Sequence, residues 1–120
     1  MIPIVHDFLV LGINHNTAPV LIREKVTFPG NQDGAVTRLV AQAEDILECI
    51  IVSTCNRSEI IVVTNDPDLS AENLIELVSK IHELDVESIR PYFYIKKGKE
   101  AVRHVFRVTS SLDSMVLGEP

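Results

Sequence analysis

Tryptophan is absent from this 120-residue sequence, and the other aromatics are few, four Phe and two Tyr. Modules that stack nucleic-acid bases on a sheet need aromatics interleaved with basic residues. The β-branched stretch 60–63 supplies none. Basic residues are also short, 11 Lys and Arg against 17 Asp and Glu, for a net charge of −6 and a pI near 5.1. This argues against binding nucleic acid through a bulk positive surface, because counterion release needs clustered cations. Only local basic groups remain: Arg103 and Arg107, four apart, with Lys96, Lys97 and Lys99 just ahead. The five glycines are scattered at 12, 30, 34, 98 and 118, so no phosphate loop or dinucleotide fingerprint is present. Two cysteines six apart exclude a disulfide framework and point to a reducing, cytoplasmic setting. No apolar run reaches the roughly 18–20 residues of a membrane span, and the start lacks a signal pattern. Cys-x-x-Cys, His-x-x-x-His and Gly-x-Ser-x-Gly are all missing, so neither a metal site nor a serine elbow is expected.

What is present is the composition of one globular domain, 46% hydrophobic and 23% charged. Residues 5–13 form an apolar run that closes on Gly12-Ile13-Asn14-His15-Asn16, a strand entering a polar turn. Thr17 is placed to cap a short helix, with Pro19 early in it and Pro29-Gly30 as its breaker. Residues 33–43 carry apolar positions at three- and four-residue spacing and read as a second helix. Ile46–Ser53 and residues 60–64 read as hairpin strands. Ser70 is the expected cap of a helix that buries Leu74, Leu77, Val78 and Ile81. A short strand at 91–95 and a final helix at 99–110 follow. The order is βαββαβ, an α+β, ferredoxin-like antiparallel sheet with helices packed on one face and one domain over 1–120. The closing Leu117-Gly118-Glu119-Pro120 is an unusual ending after a helical pattern and reads as a truncation.

The chemistry concentrates at Thr54-Cys55-Asn56-Arg57. Cys49 lies inside the apolar run and reads as inert core, whereas Cys55 sits where a strand hands over to a turn. A guanidinium two residues on favours the thiolate, the form that attacks carbonyl carbon. Among the histidines, His6 and His82 read as structural and His15 lies in a polar turn facing a sheet edge. His104 stands among apolar helix positions, where a core residue is the plain reading. The segment 110–114 (Ser-Ser-Leu-Asp-Ser) follows the last helix and offers three hydroxyls and a carboxylate. Taken alone, these residues give a partly activated thiol with an Arg neighbour and leave the reaction open.

Three ordered blocks resemble the N-terminal catalytic domain of the glutamyl-tRNA reductase family. They are the stretch from Leu11 through Val20 into Arg23-Glu24-Lys25, the stretch from Ser53 to Glu59, and His104-Val105-Phe106-Arg107-Val108 with the run from Leu112 to Pro120. The resemblance implies that Cys55 attacks the ester of glutamyl-tRNA, giving a thioester that NADPH reduces to glutamate-1-semialdehyde in tetrapyrrole biosynthesis. It implies that Arg57 holds the glutamate side-chain carboxylate, a bidentate geometry Lys cannot match. Thr54 and Ser114 add hydrogen bonds, His104 assists acyl transfer, and Asn14 and His15 support the pocket. In the family, an NADPH-binding Rossmann domain and a C-terminal helical dimerisation domain follow this point. NADPH binding and the homodimer are therefore expected outside this chain, as is a contact with glutamate-1-semialdehyde aminomutase.

Two departures from the family pattern stand out: Ser110-Ser111 precede Leu-Asp-Ser where Ala-Ser-Gly is usual, and Ile60-Ile61 replaces Ile-Tyr. Two other classes compete. A cysteine hydrolase on Cys55 and His104 lacks a visible third orienting group, and an acidic ferredoxin-like binding module, such as one for RNA, lacks the aromatics. The expected outcome is that these 120 residues alone form no semialdehyde when given glutamyl-tRNA and NADPH, checked by trapping the aldehyde product.

Overall fold

The computed structural model describes residues 7–26, 40–43, 45–54 and 56–116, the last six without their side chains. Strand β1 (Phe8–Asn14) is followed by helix α1 (Val20–Lys25), strands β2 (Ile46–Ser53) and β3 (Arg57–Thr64), and helix α2 (Pro67–Ile81). A short helix α3 (Val86–Ile89), a 3-10 turn (Arg90–Tyr92), strand β4 (Tyr94–Lys97) and helix α4 (Gly98–Val116) complete the chain. The four strands pair in the order β2-β3-β1-β4, every neighbouring pair antiparallel. This is the α+β arrangement expected of a βαββαβ unit.

Side chains alternate across a strand, and β1 is buried on both faces. Leu9, Leu11 and Ile13 join Ile60 and Val62 of β3 and Leu74, Ile75 and Val78 of α2 in the main core. Val10 is equally buried but lies on the opposite face, across from Ile61, with Gly12 across from Glu59. That second face is covered by α4, whose Ala101 and His104 are buried and whose His104 contacts Glu59. Helices on one face thus describe α1 and α2, while α4 packs on the other. The base-stacking surface that RNA-binding sheets leave open is filled at β1 and β3.

Several boundaries differ from the sequence reading, each for a physical reason. Strand β3 begins at Arg57, because polar Arg57, Ser58 and Glu59 pair with β1 and are buried or half-buried. Helix α2 begins at Pro67, capped by the Asp66 carboxylate accepting from Leu69 N–H at 3.2 Å. Ser70, expected as that cap, is instead buried and hydrogen-bonded to Thr64 and Asp45. Pro91 cannot donate to a ladder, so 90–92 turns in 3-10 form and the strand starts at Tyr94. Thr17 does not cap α1, because its Oγ1 accepts from Asn14 N–H at 3.0 Å. With no Gly or Pro between 98 and 118, α4 runs on to Val116, so 110–114 is helical and not a turn. The predicted helix 33–43 lies mostly outside the described residues, though Val40 is fully buried in the core.

Helix α2 ends in a left-handed residue that is not glycine. Glu83 has φ 55°, and Leu84 N–H bonds Ser79 O at 2.8 Å while Glu83 N–H bonds Lys80 O at 3.2 Å. That double bond pattern is the Schellman cap, for which Gly is the favoured residue. On β2, Cys49 faces Val62 and its half-buried thiol is pushed up to about 11 by desolvation.

Two outcomes follow. Replacing Glu83 by Gly is expected to raise stability by about 1 kcal/mol, read from the urea midpoint at unchanged slope. In a Cys55→Ser background, alkylation of Cys49 by iodoacetamide should speed up about tenfold per pH unit between pH 8 and 10, since only the rare thiolate reacts. A plateau below pH 9.5 would contradict the burial argument.

Candidate active site

One end of the sheet gathers the chemistry. Asn14 closes β1, Arg57 opens β3 opposite it, and Tyr94 opens β4 opposite Gly12. The Thr54–Arg57 turn is tight: Thr54 N–H bonds Arg57 O at 2.7 Å, and the Thr54 hydroxyl accepts from Asn56 N–H at 3.3 Å and Arg57 N–H at 3.2 Å. A threonine here mimics a backbone carbonyl and fixes the turn. Cys55, between Thr54 and Asn56, lies outside the described residues. The neighbouring turn is built the same way, with the Asn14 side-chain oxygen accepting from Asn16 N–H at 2.9 Å and Thr17 N–H at 3.1 Å. His15 N–H then bonds Asn56 O at 3.2 Å, tying the two turns together.

Behind them lies a charge that composition could not place. Glu59 is fully buried, and its Oε2 is approached by three donors: the Tyr94 hydroxyl, His104 Nε2–H, and Arg57 Nη1 at 3.5 Å. A buried carboxylate is tolerated only when paired and hydrogen-bonded. Its second oxygen, Oε1, is buried without a partner among the described residues. The Tyr94 and His104 rings meet at 5.5 Å between centroids, tilted by 57°. Burial, reinforced by Glu59, pushes the Tyr94 phenol far up, with Arg57 and a hydrogen bond from Asn14 opposing. Tyr94 is therefore a neutral donor and not a base.

The network needs room at Gly12. A Cβ there would sit 2.5 Å from Tyr94 Cζ, so only glycine lets the ring lie over β1. His104 reaches the same spot because α4 starts directly after β4. Gly98, at φ 60°, reverses the chain there, and the helix runs back across the sheet. The plain reading of His104 as core is half right: it is buried, and its partner is a carboxylate. An ionised Glu59 can only accept, so it takes Nε2–H from the ring, and a neutral His104 so held carries its lone pair on Nδ1.

Beside His104 opens a cleft of about 230 Å³ lined by Asn14, Asn16, Thr17, Tyr94, Lys96, His104 and Arg107. Of the residues singled out from sequence, the structure brings Asn14 and His104 to this cleft, and places Arg57 behind it on Glu59. His15 contributes a backbone bond and an exposed side chain. Ser114 lies on α4, with its side chain outside the described part. Glu59 and Tyr94 are the residues that sequence reasoning missed. Glu59 stood inside the quoted 53–59 block, and a carboxylate at a predicted strand edge was the available signal. Its contact with His104 spans 45 positions, so no short spacing in the sequence announces it. Among the described residues no three His, Cys, Asp or Glu side chains group as a metal would need, and no helix is long and apolar enough to cross a membrane.

Comparison with known proteins places this geometry. The family model for the glutamyl-tRNAGlu reductase N-terminal domain matches residues 11–120. A glutamyl-tRNA reductase from Syntrophotalea carbinolica is 44% identical over 114 residues, 95% of this chain and 26% of the relative. One from Thermodesulfovibrio yellowstonii is 46% identical, covering 95% and 28%. The solved structure of glutamyl-tRNA reductase from Methanopyrus kandleri superposes with a TM-score of 0.61 at 32% identity, over 95% of this chain and 25% of that one. The chain thus spans about a quarter of the length of the relatives it matches. A site end built from the 11–20, 53–59 and 104–108 blocks, on this sheet and with these matches, means that the chain belongs to the glutamyl-tRNA reductase N-terminal domain family.

Proposed function

We propose that this domain accepts the glutamyl group of glutamyl-tRNA as a thioester on Cys55. The observation that carries the reading is the Glu59–His104 contact, which orients the His104 ring on the same carboxylate that Arg57 of the Thr54–Arg57 turn approaches. His104 Nδ1 takes the thiol proton, and the sulfur attacks the ester carbonyl carbon. The carbon–oxygen bond to the terminal ribose breaks, and the same proton passes to the departing ribose oxygen. Arg57 keeps N–H groups beyond the one facing Glu59 and pairs with the substrate's side-chain carboxylate. Thr54 holds the turn, Asn14 and His15 hold the adjoining one, and Ser114 adds a hydrogen bond.

Glu59 is a positioning residue in this scheme, acting through His104. It would serve a cysteine hydrolase equally well, and the family match favours acyl capture over hydrolysis. In the complete reaction NADPH supplies the hydride that reduces the thioester. The scattered glycines give its pyrophosphate no cradle, so these residues do not fit that group and the chemistry of this chain ends at the thioester. Reduction, homodimer contacts and an encounter with glutamate-1-semialdehyde aminomutase are assigned outside these 120 residues, in a cytoplasmic enzyme.

The test is incubation with glutamyl-tRNA followed by mass spectrometry. A glutamyl adduct on Cys55, absent in Cys55→Ser and retained in Cys49→Ser, is expected, whereas an adduct on Cys49 alone would overturn the assignment. Glu59→Gln should slow adduct formation by on the order of 10²–10⁴-fold, because the amide no longer fixes the tautomer. Combined with His104→Ala it should add little further, as expected of groups that act as one unit.

A further inference from the structure

The cleft holds more positive charge than the acyl group requires. A glutamyl ester carries one carboxylate, assigned above to Arg57, and its α-ammonium is itself a cation. Yet Lys96 and Arg107 both line the cleft, and among the described residues no carboxylate lines it with them. Lys96 lies on the face that α4 covers, two residues beyond Tyr94 and paired with Val10. Arg107 follows His104 by one turn of α4, on the same side of the helix. The two cations thus share the cleft with His104, in a protein whose overall charge is −6. Amide and hydroxyl groups of Asn14, Asn16 and Thr17 close the other side. Cations concentrated at one point of an acidic protein mark the place where an anion is held.

We infer that Lys96 and Arg107 hold the phosphodiester on the 5′ side of the tRNA's terminal adenosine, so that this cleft seats the leaving group. The inference rests on the acyl-acceptor reading above and extends it to the far side of the ester. The leaving group of that reaction is a ribose oxygen, and one nucleoside away from it lies a phosphate. The acyl group then lies on the His104 side of the cleft, with the nucleoside over Tyr94. Contacts to phosphate carry no sequence information, so this subsite fixes the position of the ester and reads no base. It also explains how a chain without a bulk basic surface engages an RNA end: the required cations number two and are local.

The test separates this inference from the reading it rests on. Binding of the trinucleotide CCA is titrated by amide chemical-shift changes, beside inorganic phosphate at equal concentration. CCA is expected to bind the parent chain and to shift residues around the cleft. Lys96→Ala and Arg107→Ala should each weaken binding about tenfold and flatten the salt dependence by about 0.7 in log–log slope, the value for one single-strand phosphate contact. Arg107→Lys should keep the slope, since the charge remains, and Lys80→Ala, on α2, should change binding less than twofold. Binding of CCA that ignores both cleft substitutions, no binding of CCA, or equal binding of inorganic phosphate would each overturn the inference. Glutamyl-adenosine, which has no phosphate, probes the other reading. If it acylates Cys55 while CCA binding ignores Lys96 and Arg107, the subsite fails alone. If CCA binds through them while no glutamyl ester ever acylates Cys55, the acyl-acceptor reading fails alone.

Discussion

A fully buried carboxylate holds this end of the molecule together. Glu59 sits where β3 would otherwise present an apolar side chain to α4, and it survives there because Tyr94, His104 and Arg57 converge on one of its oxygens. Removing one partner of such a buried pair costs about 3–5 kcal/mol in typical cases. The arrangement constrains residues far apart in sequence. Gly12 must lack a Cβ for the Tyr94 ring to reach, and Gly98 must turn backwards for α4 to deliver His104. Arg57 must open β3 in register with Asn14. Replacing Glu59 with an apolar residue of similar size would suit the sheet, so its presence points to what the network orients.

The fold was legible where local pattern and tertiary packing agree. The β2 strand, Ile46–Ser53, is visible from its apolar run, although Leu47 and Ile50 stay exposed on this edge strand, and α2 from its spacing, because it buries the face its periodicity announces. The reading slipped where a polar residue does structural work at a distance. Ser70 looks like a cap by type, but its partners Thr64 and Asp45 come from other elements, and Asp66 caps instead. Arg57, Ser58 and Glu59 look like loop by composition and are strand by pairing. The second layer, α4 across the far face, was hidden because β1 is apolar on both faces and periodicity cannot say what covers each.

The site divided along the same line. His104 was identifiable only through its resemblance to a family block. Burial among apolar neighbours is equally the signature of a core histidine, and the carboxylate that distinguishes the two cases is 45 positions earlier. Thr54 and Asn14 were singled out as substrate contacts, and the structure gives their side-chain oxygens turn-forming bonds as well. Lys96 and Arg107 stood in the sequence as local basic groups far apart from any site, and the fold brings both to one cleft with His104. In each case the missing information is a long-range contact.

The account stands on Glu59 setting the state of His104, and nitrogen NMR of that ring tests it most directly. In ¹⁵N-labelled protein, the neutral His104 is predicted to be the Nε2–H tautomer, with a slowly exchanging proton on Nε2 and an unprotonated Nδ1. Glu59→Gln should turn it into a tautomer mixture. A ring protonated at Nδ1 in the parent protein, or one unchanged by Glu59→Gln, would contradict the account.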